Sequence, residues 1–224
     1  MTTSRAARFA FVLVGLLLLA ACSGGNYRPV SDLPVRIGPP YKVRGATYVP
    51  AADPAYDYLG YASWYGSESG NKTANGERFR PAWVTAAHRT LPLPAYVEVT
   101  SLETGRVIFV RINDRGPFAK SSRIIDLSRG AAEQLGIRAQ GEAAVRVRIV
   151  EPPEADRARL RQGKPAREQQ RIPEKTLVNL RAQLARSQGA PPPAPPARKA
   201  ERDGAVLQAL DNAISSLPDQ QGVN

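Results

Sequence analysis

The chain has 224 residues, with 31 Lys and Arg against 20 Asp and Glu, a formal net charge of +11, one His and one Cys. A single cysteine excludes an intramolecular disulfide framework and a cysteine-based zinc site, and no other motif calls for a metal or a cofactor. The positive charge is spread along the chain without a polybasic block, which argues against a nucleic acid partner and suits an anionic polymer or membrane surface outside the cytoplasm.

In chain order, Arg5 and Arg8 precede an apolar run, Phe9 to Ala20, too short to span a bilayer by itself. It ends in Leu19-Ala20-Ala21-Cys22, which resembles a bacterial lipobox. Residues 1–21 therefore read as a lipoprotein signal peptide and Cys22 as the acylated first residue of the mature protein. The alternative is a cleaved secretory signal with an incidental cysteine. Ser23 in place of Asp after the cysteine points to the outer membrane in bacteria that have two. Residues 22–58 hold Pro29, Pro34, Pro39, Pro40, Pro50 and Pro54 with little apolar periodicity and are expected to form a flexible linker. The tyrosines scattered in it, Tyr41, Tyr48 and Tyr56 among them, either dock locally or are solvated.

Residues 59–151 read as short strands with Gly- or Pro-containing connections, the pattern of a small barrel or sandwich. Gly60 to Gly66 is a first strand. Tyr96 to Leu102 and Arg106 to Ile112 form a hairpin around Glu103-Thr104-Gly105. Ile124 to Leu127 is a short strand, Ser128 caps a brief helix that Gly136 ends, and Val145 to Val150 alternates and closes the domain. Between the first strand and the hairpin lies the long polar segment from Ser67 to Pro94, which is either functional or disordered. Phe79, Trp83 and Val84 give it side chains to dock.

Two places attract chemistry. In VRINDRGPF a strand that buries Val110 and Ile112 fixes Asp114 at its end, where Gly116-Pro117 stops the ladder. This is the best catalytic candidate, and the alternative is an Asx-type turn without chemistry. His88, the only histidine, is either a catalytic group or a satisfied structural residue.

The blocks GYASWYG, TANGERF, TAAHRTLPLP, VRINDRGPF and IDLSRGAAEQLG, in this order, resemble the rare lipoprotein A family of septal-ring-associated lytic transglycosylases. The resemblance covers residues 59–151. It implies a mainly β fold, a six-stranded double-psi β-barrel with a short helix, and an outer-membrane-anchored periplasmic protein acting on peptidoglycan glycan strands. By motif position it implies Glu77, His88 and Asp114 as active-site residues. Asp114 is then expected to be the acid/base, with Arg111 and Arg115 favouring its ionised form and a neighbouring Glu77 opposing them. Trp64, Tyr65, Asn75, Arg89 and Arg115 are plausible groove-lining residues, with a core role the stronger reading for Trp64. Asp126 is expected to hold a turn.

A rival reading is a peptidoglycan-binding module or septal scaffold that does not cut. Residues 152–224 carry no legible peptidoglycan-binding repeat domain of the kind many family members have. They read as a Pro-rich, largely disordered tail with two short amphipathic helices, Lys175 to Ser187 and Ala205 to Leu217, through which divisome proteins could dock.

Overall fold

A computed structural model describes residues 26–66 and 70–187. The signal segment, Cys22, the tip of the polar loop at residues 67–69, and the tail beyond Ser187, with its second expected helix, lie outside the described residues.

Among the described residues there are eight strands: β1 (Tyr41–Val43), β2 (Ala46–Tyr48), β3 (Asp57–Tyr65), β4 (Thr85–Ala87), β5 (Ala95–Ser101), β6 (Val107–Asp114), β7 (Arg123–Ser128) and β8 (Glu142–Ile149). The last six close into a barrel in the order β3-β7-β4-β6-β5-β8. Two of its pairs, β3 with β7 and β4 with β6, are parallel and the others antiparallel. Parallel neighbours cannot be joined by a tight hairpin, so other strands intervene between them in sequence. This is the double-psi barrel that the motifs imply. Its interior follows from strand alternation: Ala62, Val97, Val99, Val110, Ile112, Ile125, Leu127, Val145 and Val147 are fully buried in one core.

Helix α1 (Arg129–Leu135) begins and ends where its capping residues predict. The Ser128 hydroxyl accepts the Ala131 N–H, and Gly136, in the left-handed region at φ 83°, donates its own N–H to the Ala132 carbonyl. Helices α2 (Glu154–Arg161) and α3 (Glu174–Ser187) follow the barrel. In α3, Leu177, Leu180 and Leu184 recur at helical spacing and pack with Leu102 in a second apolar cluster. The expected first amphipathic helix of the tail therefore exists, but it docks on the barrel.

The flexible linker expected over residues 22–58 needs the same correction for its described part. Residues 26–56 form a strap fixed to the barrel at discrete polar points. Asp32 accepts from the Tyr96 hydroxyl at 2.8 Å and pairs with Arg111 at 3.3 Å and with Arg161 of α2. Arg36 and Leu93 exchange backbone hydrogen bonds, Tyr41 donates to the Arg89 carbonyl, and Tyr56 is buried. None of these contacts needs apolar periodicity, and prolines cost an extended docked segment nothing where its N–H groups are unused.

Candidate active site

The site is built at the end of β6. In the β4–β6 pairing, Ala86 faces Ile112 but Ala87 faces Asp114, so a bulge leaves Asn113 without a ladder partner. Bulges re-aim side chains, and here the two neighbouring residues serve different surroundings: Asn113 turns to Glu77, while Asp114 is aligned with Ala87. Ala87 is also the partner of Asp126 on β7, and Asp126 is the partner of Ser63 on β3. Ser63, Asp126, Ala87 and Asp114 thus form one row across four adjacent strands. Two strand spacings separate the aspartates, about 10 Å between their backbones, with only a methyl group between them.

The loop from Thr73 to Glu77 closes over this strand end. Asn75 N–H donates to the Asn113 carbonyl at 3.0 Å, and Gly76 adopts φ 84° to make the turn. From the same loop, Ala74 N–H donates to Asp114 Oδ1 at 2.8 Å, and Arg115 N–H donates to the same oxygen at 2.8 Å. The local turn hydrogen bond and the candidate acid therefore coexist. Among the described residues no hydrogen bond reaches Asp114 Oδ2. Burial raises the Asp114 carboxyl above its ordinary value of 3.8, against the lowering effect of the two N–H donors and the Arg115 charge. Neither Arg111 nor Glu77 supplies this shift, which corrects the expected carboxylate pair.

Glu77 is 1% exposed and closed on every side. Arg111 grips it bidentately, at 2.7 Å to Oε2 and 2.9 Å to Oε1, while Asn75 donates to Oε1 at 2.8 Å and Asn113 to Oε2 at 2.9 Å. His88 is equally closed. Its Nδ1 accepts the N–H groups of Thr90 and Leu91, at 3.2 and 3.0 Å, and its Nε2 lies 2.9 Å from the Tyr56 hydroxyl. Two backbone donors at Nδ1 fix the neutral tautomer with the proton on Nε2. Burial, followed by the charges of Arg115 and Arg89, lowers its pKa from 6.5 to about 3.

Asp126, read from sequence as a turn residue, is instead a strand residue facing Asp114 along the row. Its Oδ1 accepts from the Ser63 hydroxyl at 2.6 Å, with Arg123 Nε at 3.6 Å, and burial raises its pKa from 3.8. The signal that could have found it is the alternation of RIIDLS, which puts Asp126 on the opposite face from the buried Ile125 and Leu127. Tyr65 belongs to the same place: its ring stacks on Phe79 at 5.0 Å, and its hydroxyl is pushed well above 10 by burial first and then by the charges of Asp114 and Asp126.

The other groove candidates are held in hydrogen bonds around the site or away from it. Arg89 donates to the carbonyls of Pro117, at 2.7 Å, and Lys120, at 2.8 Å, which holds the loop after β6. Arg115 donates to the carbonyls of Leu91, His88 and Ile37, tying strap, loop and strand end together. Asn75 is buried between Glu77 and Arg28 of the strap. Trp64 is tied elsewhere: its indole N–H donates to the Arg138 carbonyl at 3.2 Å, and the Arg138 guanidinium lies over its ring. Among the described residues no group of three or more His, Cys, Asp or Glu could hold a metal ion.

Comparison with known proteins agrees with the fold. The family model described as "Lytic transglycolase" matches residues 58–147, the barrel. Over 115 residues the chain is 52% identical to "Endolytic peptidoglycan transglycosylase RlpA" of Pseudomonas aeruginosa strain UCBPP-PA14, covering 50% of this chain and 33% of that protein. Proteins of the same name from Rickettsia bellii and Neisseria meningitidis serogroup A are each 47% identical, covering 50% of this chain and 51% and 47% of theirs. Over residues 58–147 the barrel of this chain is similar to the lytic transglycosylase domain of these proteins. The chain spans between a third and about half the length of these curated relatives.

Proposed function

We propose that this protein is a peptidoglycan lytic transglycosylase that cleaves the β-1,4 bond between N-acetylmuramic acid and N-acetylglucosamine without water and leaves 1,6-anhydro ends. The observation that carries this reading is Asp114: a buried carboxyl at the end of β6 with one oxygen held by two backbone N–H groups, the other without a described hydrogen bond, and a raised pKa. Such a group can hold a proton at the pH where an ordinary aspartate has lost it.

In this mechanism the Asp114 carboxyl gives its proton to the glycosidic oxygen as the C1–O bond breaks and the muramoyl ring takes on oxocarbenium character. The C6 hydroxyl of the same sugar then bonds to C1, and the Asp114 carboxylate takes the hydroxyl proton back. The proton count closes on one residue. Asp126, on the far side of Ala87, offers negative charge to the oxocarbenium centre. Glu77 and His88 are positioning residues: Glu77 anchors the loop that donates Ala74 N–H, and His88 sets the strand next to Asp114. Asn75, Arg89 and Arg115 shape the groove, and Tyr65 forms its wall.

The same reading places the protein outside the cytoplasm, held at the periplasmic face of the outer membrane by acyl chains on Cys22, where the glycan strands are. The tail beyond Ser187 is then the segment available to divisome proteins. The test is to incubate the purified protein with glycan strands lacking stem peptides and to examine the products by mass spectrometry. Anhydromuramoyl ends are expected. Reducing ends carrying an added water would make the protein a hydrolase, and binding with no cleavage would make it a binding module or scaffold.

A further inference from the structure

The hairpin β1–β2 lies before residue 58, outside the stretch that the family model matches, and the mechanism above makes no use of it. Its turn is Arg44-Gly45, with φ 50° and 82°, the two-residue geometry that matches strand twist. Tyr41 and Tyr48 are register partners, so they share one face, and their rings stack with centroids 5.4 Å apart. Phe118, just past Gly116-Pro117, completes the cluster at 6.1 Å from Tyr41 and 5.4 Å from Tyr48.

This cluster borders the carboxylate row. A Cβ on Gly116 would stand 3.8 Å from Asp126 Oδ2 and 4.0 Å from the Phe118 ring, so one residue touches both. The Tyr41 hydroxyl, fixed at 2.7 Å to the Arg89 carbonyl, is pushed upward by burial first, with the Asp114 charge contributing. The three rings are only half-buried, and among the described residues the Tyr48 hydroxyl has no hydrogen-bond partner. Two three-residue strands are marginal by themselves, and a cluster serving only to hold them would gain most from full burial. Partly exposed rings, one with a hydroxyl that has no described partner, suit a ligand with apolar C–H faces and polar edges.

We propose that Tyr41, Tyr48 and Phe118 form a sugar-stacking subsite that holds a pyranose ring of a peptidoglycan glycan strand beside the Asp114–Asp126 row. The ring's C–H face lies on the aromatic cluster, and the Tyr48 hydroxyl bonds to a sugar hydroxyl or acetamido group. The proposal rests on the glycan-strand reading above and adds a strap-borne binding element to the barrel.

The test uses the full chain carrying Asp114→Asn, titrated calorimetrically with soluble, peptide-free glycan strands. Adding Tyr48→Ala is expected to weaken binding about threefold to tenfold. Tyr48→Leu, which keeps apolar bulk without a ring, is expected to weaken it to a similar extent. Tyr48→Phe retains most of the affinity, and Lys42→Ala, on the other face of the hairpin, leaves it unchanged. Restoration by Tyr48→Leu would overturn the proposal by making Tyr48 a packing residue, and so would unaltered affinity in Tyr48→Ala or no glycan binding at all. If the unmutated protein makes no anhydro ends while binding still depends on the Tyr48 ring, the transglycosylase reading falls and the subsite stands.

Discussion

Glu77 and Asp114 are two carboxylates gripped by the same loop, and their surroundings are opposite. Glu77 receives four hydrogen bonds, two of them from Arg111, and has no oxygen left for a substrate. Asp114 has one oxygen saturated and the other without a described donor, in a place where burial favours the protonated form. A buried charge that is fully paired gives geometry; a buried carboxyl that is half-paired retains a proton to move. On the proposed function, Glu77 is one of the residues that build the site and Asp114 is the one that acts in it.

The largest expected effect on stability comes from breaking the closed side. Glu77→Ala leaves the Arg111 guanidinium buried without its main partner and should cost about 3–5 kcal/mol in urea unfolding. A loss near zero would show that Arg111 finds equivalent partners and that the pocket is not closed as described.

His88 sharpens the same comparison through pH. Its folded pKa, about 3, lies below the ordinary 6.5, so between these values the unfolded chain binds more protons than the folded one. Its contribution is therefore fully present above pH 6.5 and is lost as pH falls toward 3, on the order of 4 kcal/mol in all. The raised carboxyls of Asp114 and Asp126 act in the opposite sense, gaining as they protonate. The difference between the stability curves of the protein and its His88→Gln variant isolates the histidine: the variant should have a flatter acid limb. Parallel curves would mean that His88 titrates normally and is open to solvent.

A smaller effect is expected at the strap. Asp32 joins it to Tyr96, Arg111 and Arg161, so Asp32→Ala should cost about 1–3 kcal/mol and expose residues 26–56 to limited proteolysis. Unchanged protease resistance would place the docking energy in the Tyr41 and Tyr56 contacts instead.

Much of the barrel was legible because alternation reports burial directly. The strands β3, β5, β6 and β8 follow their patterns to within a few residues, and Ser128 and Gly136 mark the bounds of α1. The three-residue strand β4 was not legible, since Thr85-Ala86-Ala87 is too short to alternate and lies inside a polar segment. The strap was missed for a different reason: it is held by single side chains such as Arg28, Asp32 and Tyr41, which leave no periodic trace. Asp114 could be singled out from the strand-to-turn boundary. Its pairing with Glu77 could not be judged, because the bulge that sends Asn113 to Glu77 and keeps Asp114 in the row is a property of the β4–β6 register.

One measurement bears most directly on the division between the two carboxylates. Asp114→Asn keeps an oxygen to accept from Ala74 and Arg115 N–H but has no proton to give, and its initial rate of anhydromuramoyl end formation can be set against that of Glu77→Gln at matched folded fractions. Asp114→Asn is expected to lose about 10²- to 10⁴-fold in rate with its fold intact, while correctly folded Glu77→Gln retains a measurable rate. Full activity in Asp114→Asn, or its retention there with complete loss in folded Glu77→Gln, would contradict that division.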